Sequence, residues 1–333
     1  MTSRGGHLVF RVSQPRAGST LLQRVVGSHS SVHTAPEPWL ALHPLFALKA
    51  DALAAPFDAA LANRATREFL ARIPSGEAIY LDGVRHLLGS VYDAALTAAG
   101  KSVFLDKTPR YYQILPELRR VFPDAHVVIL LRNPVAVLSS MLETWSGEDG
   151  GQGLHHLKAD LLDAPPLLAS WLRRRDPATV VVHYEALVED PESTINRVCQ
   201  ALGLAPEPAM LDYRRSTPDV EHSGFGDLGT SRRHSRPVAS RVNRWRTVMM
   251  ERPAWRSIAA GYIRALAADD LDIMGYNHTA LLESVGRAGD ADDAAFAAAL
   301  GWSGDRRGLG SRVRRHGRRL LGALRRAATP RRL

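Results

Sequence analysis

Near its start the chain runs through an apolar segment, His7–Val12, into Ser13-Gln14-Pro15-Arg16-Ala17-Gly18-Ser19-Thr20-Leu21-Leu22, where a helical pattern begins. A strand, a tight turn holding a glycine and a cation, and two hydroxyls at a helix start make a cradle for a phosphate. The free N–H groups of a first helical turn face such an anion, the helix dipole favours it, and Ser19 and Thr20 add donors. The plainer alternative is an ordinary turn with Ser19 as the helix N-cap. The segment is not a Walker A loop, which places its cation after the second glycine of G-x-x-x-x-G-K-[ST]. Here Arg16 precedes Gly18, and Ser13 stands where the first glycine would be. A second apolar run, His126–Leu131, ends in Arg132 and not in the aspartate that would hold magnesium, so that strand end also suits an anion.

The elements that must position these residues follow from periodicity. Short β-branched runs followed by helical patterns are the mark of a parallel sheet. Strands are expected at His7–Val12, Ala78–Leu81, Ser102–Leu105, His126–Leu131 and Thr179–His183, and helices at roughly 19–28, 84–99, 111–121, 133–144 and 191–202. Thr108-Pro109 breaks the chain before one helix and Asn133-Pro134 starts another. Glu148–Gly153 and Gly224–Ser240 read as loops, the second able to close over an anion. An Ala- and acid-rich stretch near 286–300 reads as a linker. The expected architecture is a three-layer α/β, P-loop-like fold with a central parallel sheet over 1–285, then a linker and a basic amphipathic or disordered tail over 286–333.

The net charge of +9 on 333 residues looks like a nucleic-acid signal until it is located. From Gly304 to Leu333 there are 11 arginines against Asp305 alone, and the rest of the chain is close to neutral. A neutral body with a basic tail argues against specific nucleic-acid binding and for contact between the tail and some anionic surface. Leu309, Val313, Leu320 and Leu324 recur near helical spacing among those arginines, which would suit an anionic membrane face, although Gly310, Gly317 and Gly322 weaken the helix. Arginines outnumber lysines 39 to 4, which a GC-rich genome explains by itself. No uncharged apolar run is long enough to span a bilayer, and no signal peptide is apparent. The single cysteine, Cys199, excludes an internal disulfide and reads as core. The expected compartment is the cytoplasm, with the tail as a route to the inner membrane face.

Four segments, in order, resemble the sulfotransferases that use 3′-phosphoadenosine 5′-phosphosulfate (PAPS). PRAGSTLL is similar to their 5′-phosphosulfate loop, which implies donor contacts from Arg16, Ala17, Gly18, Ser19, Thr20 and Leu21. ILLRNPVAVLSSML is similar to their 3′-phosphate motif, which implies Arg132 and Ser140. The spacing of those two residues brings Ser140 about two helical turns beyond Arg132. VVHYEALVEDPESTINRVCQALGL resembles a stretch that places Tyr184 near the adenosine, and SRPVASRVNRWR resembles a late basic loop that offers Arg241 and Arg244 to the 3′-phosphate.

The resemblance implies a metal-free transfer in which a base takes the proton of an acceptor hydroxyl, the oxygen attacks sulfur, and adenosine 3′,5′-bisphosphate (PAP) leaves. Arg16, the loop amides and Lys107 of FLDKTPRYY would neutralise the leaving phosphate. Where small-phenol sulfotransferases carry a histidine two residues after that lysine, this chain has Pro109, which accepts no proton. The catalytic base is therefore expected at Glu37, held between Pro36 and Pro38, as in the tyrosylprotein, glycan and many bacterial members. The implied acceptor is a hydroxyl on a small molecule or glycan: a carbohydrate, a specialised metabolite or a lipid-linked sugar. His29, His33 and His43 flank Glu37 without the spacing of a zinc site, and His155-His156 cannot readily share one. Tyr111, Tyr112, Trp145 and Trp171 are candidate acceptor-pocket walls or core. The rival readings are a P-loop kinase and a non-catalytic protein that docks through its tail.

Overall fold

The computed structural model describes residues 4–48, 58–145, 154–212, 236–239, 242–286 and 289–302. Five strands, β1 (Leu8–Ser13), β2 (Val32–Pro36), β3 (Val103–Lys107), β4 (His126–Leu131) and β5 (Thr179–His183), form one sheet in the order β2-β3-β1-β4-β5. Every pairing is parallel. Parallel strands need crossovers on both faces, so the sheet is buried on both sides and its strands are nearly continuous apolar runs. In β1 all six residues are buried. Along it, Val9 joins the core formed with the helices Ser19–Gly27, Pro134–Trp145 and Pro191–Ala201. Its neighbours Leu8, Phe10 and Val12 join the opposite core, with the helices Gly76–Ala99, Leu115–Val121 and Ala164–Leu172. The result is the expected α/β, three-layer arrangement. Because the chain runs from β1 to the β2 edge and back through β3 before crossing to β4, the order reverses beside β1. The crevice at the carboxyl ends of β1, β3 and β4 is thus where a ligand belongs.

Three expectations about the elements are corrected. Ala78–Leu81 is not a strand; it lies in the helix Gly76–Ala99, where Leu81, Val84, Leu88, Tyr92 and Leu96 are buried at helical spacing. The missing strand is Val32–Pro36, an edge strand that pairs only with β3 and tolerates its terminal proline for that reason. The stretch near 286–300, read as a linker, holds the helix Asp290–Ala299, with Phe296, Ala297 and Leu300 buried. It lies so close to the helix Pro253–Ala265 that a Cβ on Gly261 would come within 2.2 Å of the Asp292 carbonyl oxygen. The loop Glu148–Gly153, most of Gly224–Ser240 and the tail from Gly304 lie outside the described residues. No helix among the described residues is long and apolar enough to cross a membrane.

Candidate active site

The turn after β1 is shaped by two residues in left-handed backbone conformations, Arg16 at φ 68° and Gly18 at φ 96°. Gly18 is the N-cap of the helix Ser19–Gly27, so Ser19 is its first residue and not its cap. A side chain at Gly18 would strike the Tyr184 ring, whose Cδ2 lies 2.3 Å from the ideal Cβ position, so only glycine fits. The Ala17 amide donates to the Gln14 carbonyl at 3.3 Å and the Leu21 amide to the Gly18 carbonyl at 3.1 Å. The amides of Gly18, Ser19 and Thr20 have no backbone partner among the described residues and remain for an anion.

The second motif folds onto the first. Ser140, on the helix Pro134–Trp145, accepts a hydrogen bond from Arg16 Nε at 3.0 Å through its Oγ. Arg132 donates from Nη1 to the Arg16 carbonyl at 3.0 Å and stacks on the Tyr184 ring at 4.3 Å. Burial pulls the Arg132 guanidinium below its ordinary value, and its buried Nε has no hydrogen-bond partner among the described residues. Arg16, Gly18, Arg132, Ser140 and Tyr184, named separately from the sequence, thus form one cluster at the ends of β1 and β4. The exposed Trp145 lies 5.7 Å from the Arg16 guanidinium. Arg244 is pinned by Glu143 at 2.6 Å, one turn beyond Ser140. Arg241 lies outside the described residues.

On the other side of β1, Lys107 Nζ donates to Glu37 Oε1 at 2.9 Å, and Trp39 Nε1 donates to Oε2 at 3.3 Å. In the Glu37–Trp39 turn both Glu37 and Trp39 have positive φ, 37° and 57°. Lys107 is pulled below the ordinary lysine value by burial, opposed by the Glu37 charge and reinforced by Arg11. The end of β3 is set by the buried Asp106, which accepts from Tyr92 at 2.6 Å, Tyr111 at 3.0 Å and Thr108 at 2.7 Å. Burial raises the Asp106 carboxyl, and these donors oppose the rise.

Arg110 and Asp160, which support the turn that carries Glu37, escaped the sequence reading. Arg110 stacks on Trp39 at 5.4 Å and grips Asp160 with both sides of its fork, at 3.0 and 2.6 Å. Tyr112 donates to Asp160 at 2.7 Å, and Gln14 beside the phosphate loop donates to the Asp160 carbonyl at 2.8 Å. Of the aromatic candidates, Tyr111 and Tyr112 are buried supports of these carboxylates, and Trp171 is buried with its Nε1 on Thr179 at 3.0 Å. His29 is a buried packing residue, bonded to the Ala205 carbonyl at 2.9 Å.

The arrangement can hold an anion at β1 and β4, and present a carboxylate beside a buried ammonium at β2 and β3. A family model described as the sulfotransferase family matches residues 9–208. Nodulation protein NoeE of Sinorhizobium fredii is 32% identical over 260 residues, covering 72% of this chain and 60% of that protein. An uncharacterized protein of Aquifex aeolicus is 24% identical over 227 residues, covering 64% of this chain and 28% of its own length. The chain therefore spans 60% and 28% of the lengths of these relatives. The sulfotransferase domain from the curacin biosynthetic pathway has a similar fold, with a TM-score of 0.51 at 18% identity over 81% of this chain and 97% of that one. The sulfotransferase domain of the Synechococcus PCC 7002 olefin synthase gives 0.50 at 20% identity, over 80% and 93%.

Proposed function

Since this chain belongs to the sulfotransferase family, we propose that it transfers a sulfuryl group from PAPS to an acceptor hydroxyl. The observation that carries the reading is the convergence at the carboxyl ends of the strands. Arg16, Ser140 and Arg132 are joined on one side of β1, and the Lys107–Glu37 pair stands on the other. The residues suit a phosphoadenosine: Gly18 leaves room for the Tyr184 ring against the loop, and the Arg132 Nε is a buried donor without a hydrogen-bond partner among the described residues.

In this reading Arg16 and the amides of Gly18, Ser19 and Thr20 hold the 5′-phosphosulfate, and Arg132 with Ser140 holds the 3′-phosphate. Glu37 takes the acceptor's proton as the acceptor oxygen forms its bond to sulfur. The bond from sulfur to the 5′-phosphate oxygen breaks, and PAP leaves with the electron pair while Lys107 and Arg16 balance its charge. The acceptor is a hydroxyl-bearing small molecule or glycan. The Arg110–Asp160 fork keeps Trp39, and through it Glu37, in one orientation.

A thermal-shift comparison of PAP with ADP and ATP, with and without magnesium, tests the donor. A ligand at a hundredfold excess over Kd adds about 2.7 kcal/mol to the native state, enough to move the midpoint by several degrees. Selective stabilisation by PAP without magnesium is expected. Stabilisation by ATP only with magnesium overturns the reading in favour of a kinase.

A further inference from the structure

Arg11 heads the large side chains that are fully buried, with 0% exposure, and none of its Nε, Nη1 and Nη2 atoms has a hydrogen-bond partner among the described residues. It lies in β1 directly opposite Lys107 of β3. Alternation along the two strands sets both side chains on the face of Val9 and Leu105, which share one core, so the two cations are neighbours on the same side of the sheet. A guanidinium buried without partners is costly, and an apolar residue of similar volume would pack there at less expense. What surrounds it is the transfer site. Glu37 is the first charge to act on it and Asp106 the second, while burial brings it down to about 9. Glu37 in turn is faced by Lys107 from β3, by Trp39 from its own turn, by Arg11 from β1 and by Arg110 from the turn Pro109–Gln113.

We propose that Arg11 is a positioning residue of the transfer site: a second buried cation, acting through Lys107 and Glu37, that raises the affinity for the anionic end of the donor. The proposal rests on the PAPS reading for its ligand, but not for the coupling between the two cations. Lys107 carries its ammonium to Glu37, and Arg11 beside it on β1 opposes any shift of that ammonium away from Glu37 toward β1. Glu37 meets Lys107 directly and Asp106 acts on both cations from its own hydrogen-bonded site, and a phosphate arriving at the strand ends adds a further negative charge that draws on both cations.

The chain has only four lysines, so the Lys107 ammonium can be followed by NMR with labelled lysine. In Arg11→Met the Lys107 titration moves to higher pH, because a neighbouring like charge is gone, while Arg11→Lys leaves it near its wild-type position. By calorimetry, PAP affinity falls about tenfold in Arg11→Met, as expected for removing a charge on the order of 10 Å from an anion at protein-like dielectric. Arg11→Lys restores it, and the melting temperature of Arg11→Met is no lower than that of the wild type. An unmoved Lys107 titration, undiminished PAP binding or an Arg11→Met chain that fails to fold each overturns the proposal. Wild-type protein that ignores PAP overturns the donor reading and Arg11's part in it, and a shifted Lys107 titration then shows that the cation coupling itself is sound.

Discussion

Replacing Glu37 by Gln keeps the side chain's shape and removes its charge. Its partner Lys107 is 1% exposed and Glu37 itself 18%. Breaking a buried pair by deleting one member costs about 3–5 kcal/mol, because the other charge stays behind without compensation. Solvent at the exposed edge of Glu37 screens part of that, so about 2 kcal/mol is expected at neutral pH, or a melting temperature lower by about 3 °C for a chain of this length. The pH dependence gives a sharper test. Burial already pulls Lys107 down and Arg11 reinforces it, with Glu37 resisting. Without Glu37 the ammonium sheds its proton at lower pH. A lysine whose folded value lies below its ordinary 10.5 binds fewer protons folded than unfolded across that interval, so stability rises with pH through it. The interval begins lower in the variant, and its stability deficit therefore shrinks as pH rises. Urea denaturation across the neutral to alkaline range measures this directly. Turnover should fall by about 10²–10⁴ for loss of a general base, with PAP binding retained. A variant as stable as the wild type at every pH refutes the burial argument, and wild-type turnover removes Glu37 as the base.

Three further substitutions probe the surrounding geometry. Ser140→Ala removes the acceptor of Arg16 Nε and should weaken PAP binding by about 1 kcal/mol, read by calorimetry, with the fold intact. Gly18→Ala forces a Cβ against the Tyr184 ring at a backbone angle that disfavours it. It should cost about 1–3 kcal/mol in stability and abolish PAP stabilisation in a thermal shift; normal binding would mean that the loop relaxes freely. Asp160→Asn breaks a nearly buried carboxylate's fork with Arg110 and should cost about 2–3 kcal/mol in urea denaturation. It should also lower turnover more than PAP affinity, because Arg110 supports Glu37, by stacking on Trp39 and by its own charge.

The phosphate loop was legible because its parts are contiguous: strand, turn, cation, glycine and helix start follow one another within a few residues. Arg132 and Ser140 were legible because a helix of known pitch links them, although their meeting with Arg16 is a tertiary fact. Pairs distant along the chain were not. Nothing near Arg110 points to Asp160, fifty positions later, and without that fork Tyr112 looks like a pocket wall and not a buried support. β2 was missed because VHTAP is short, half polar and ends in proline, features that only its place at the sheet edge excuses. Arg11 did leave a signal. A charge in the interior of an apolar run bound for a doubly covered parallel strand has no solvent to reach, and the same holds for Asp106 and Lys107 in FLDK.

Those three interior charges explain why the site is built on strands and not on loops alone. Asp106 receives three donors and fixes the end of β3, so the direction in which Lys107 leaves the sheet is decided by buried hydrogen bonds. Arg11 limits where the Lys107 ammonium can lie, and Glu37 meets it from β2 through a turn held by Trp39 and Arg110. Each of these charges costs stability in the ligand-free protein, since burial works against both cations and against the Asp106 carboxylate. An anion at the strand ends offsets the cost of the cations and leaves that of Asp106 untouched. Ligand binding should therefore stabilise this fold more at low ionic strength than at high, by an amount that Arg11→Met reduces and Ser19→Ala, which deletes a hydroxyl and no charge, does not. A PAP-induced shift in melting temperature with the same salt dependence in both variants would show that the buried cations take no part in binding.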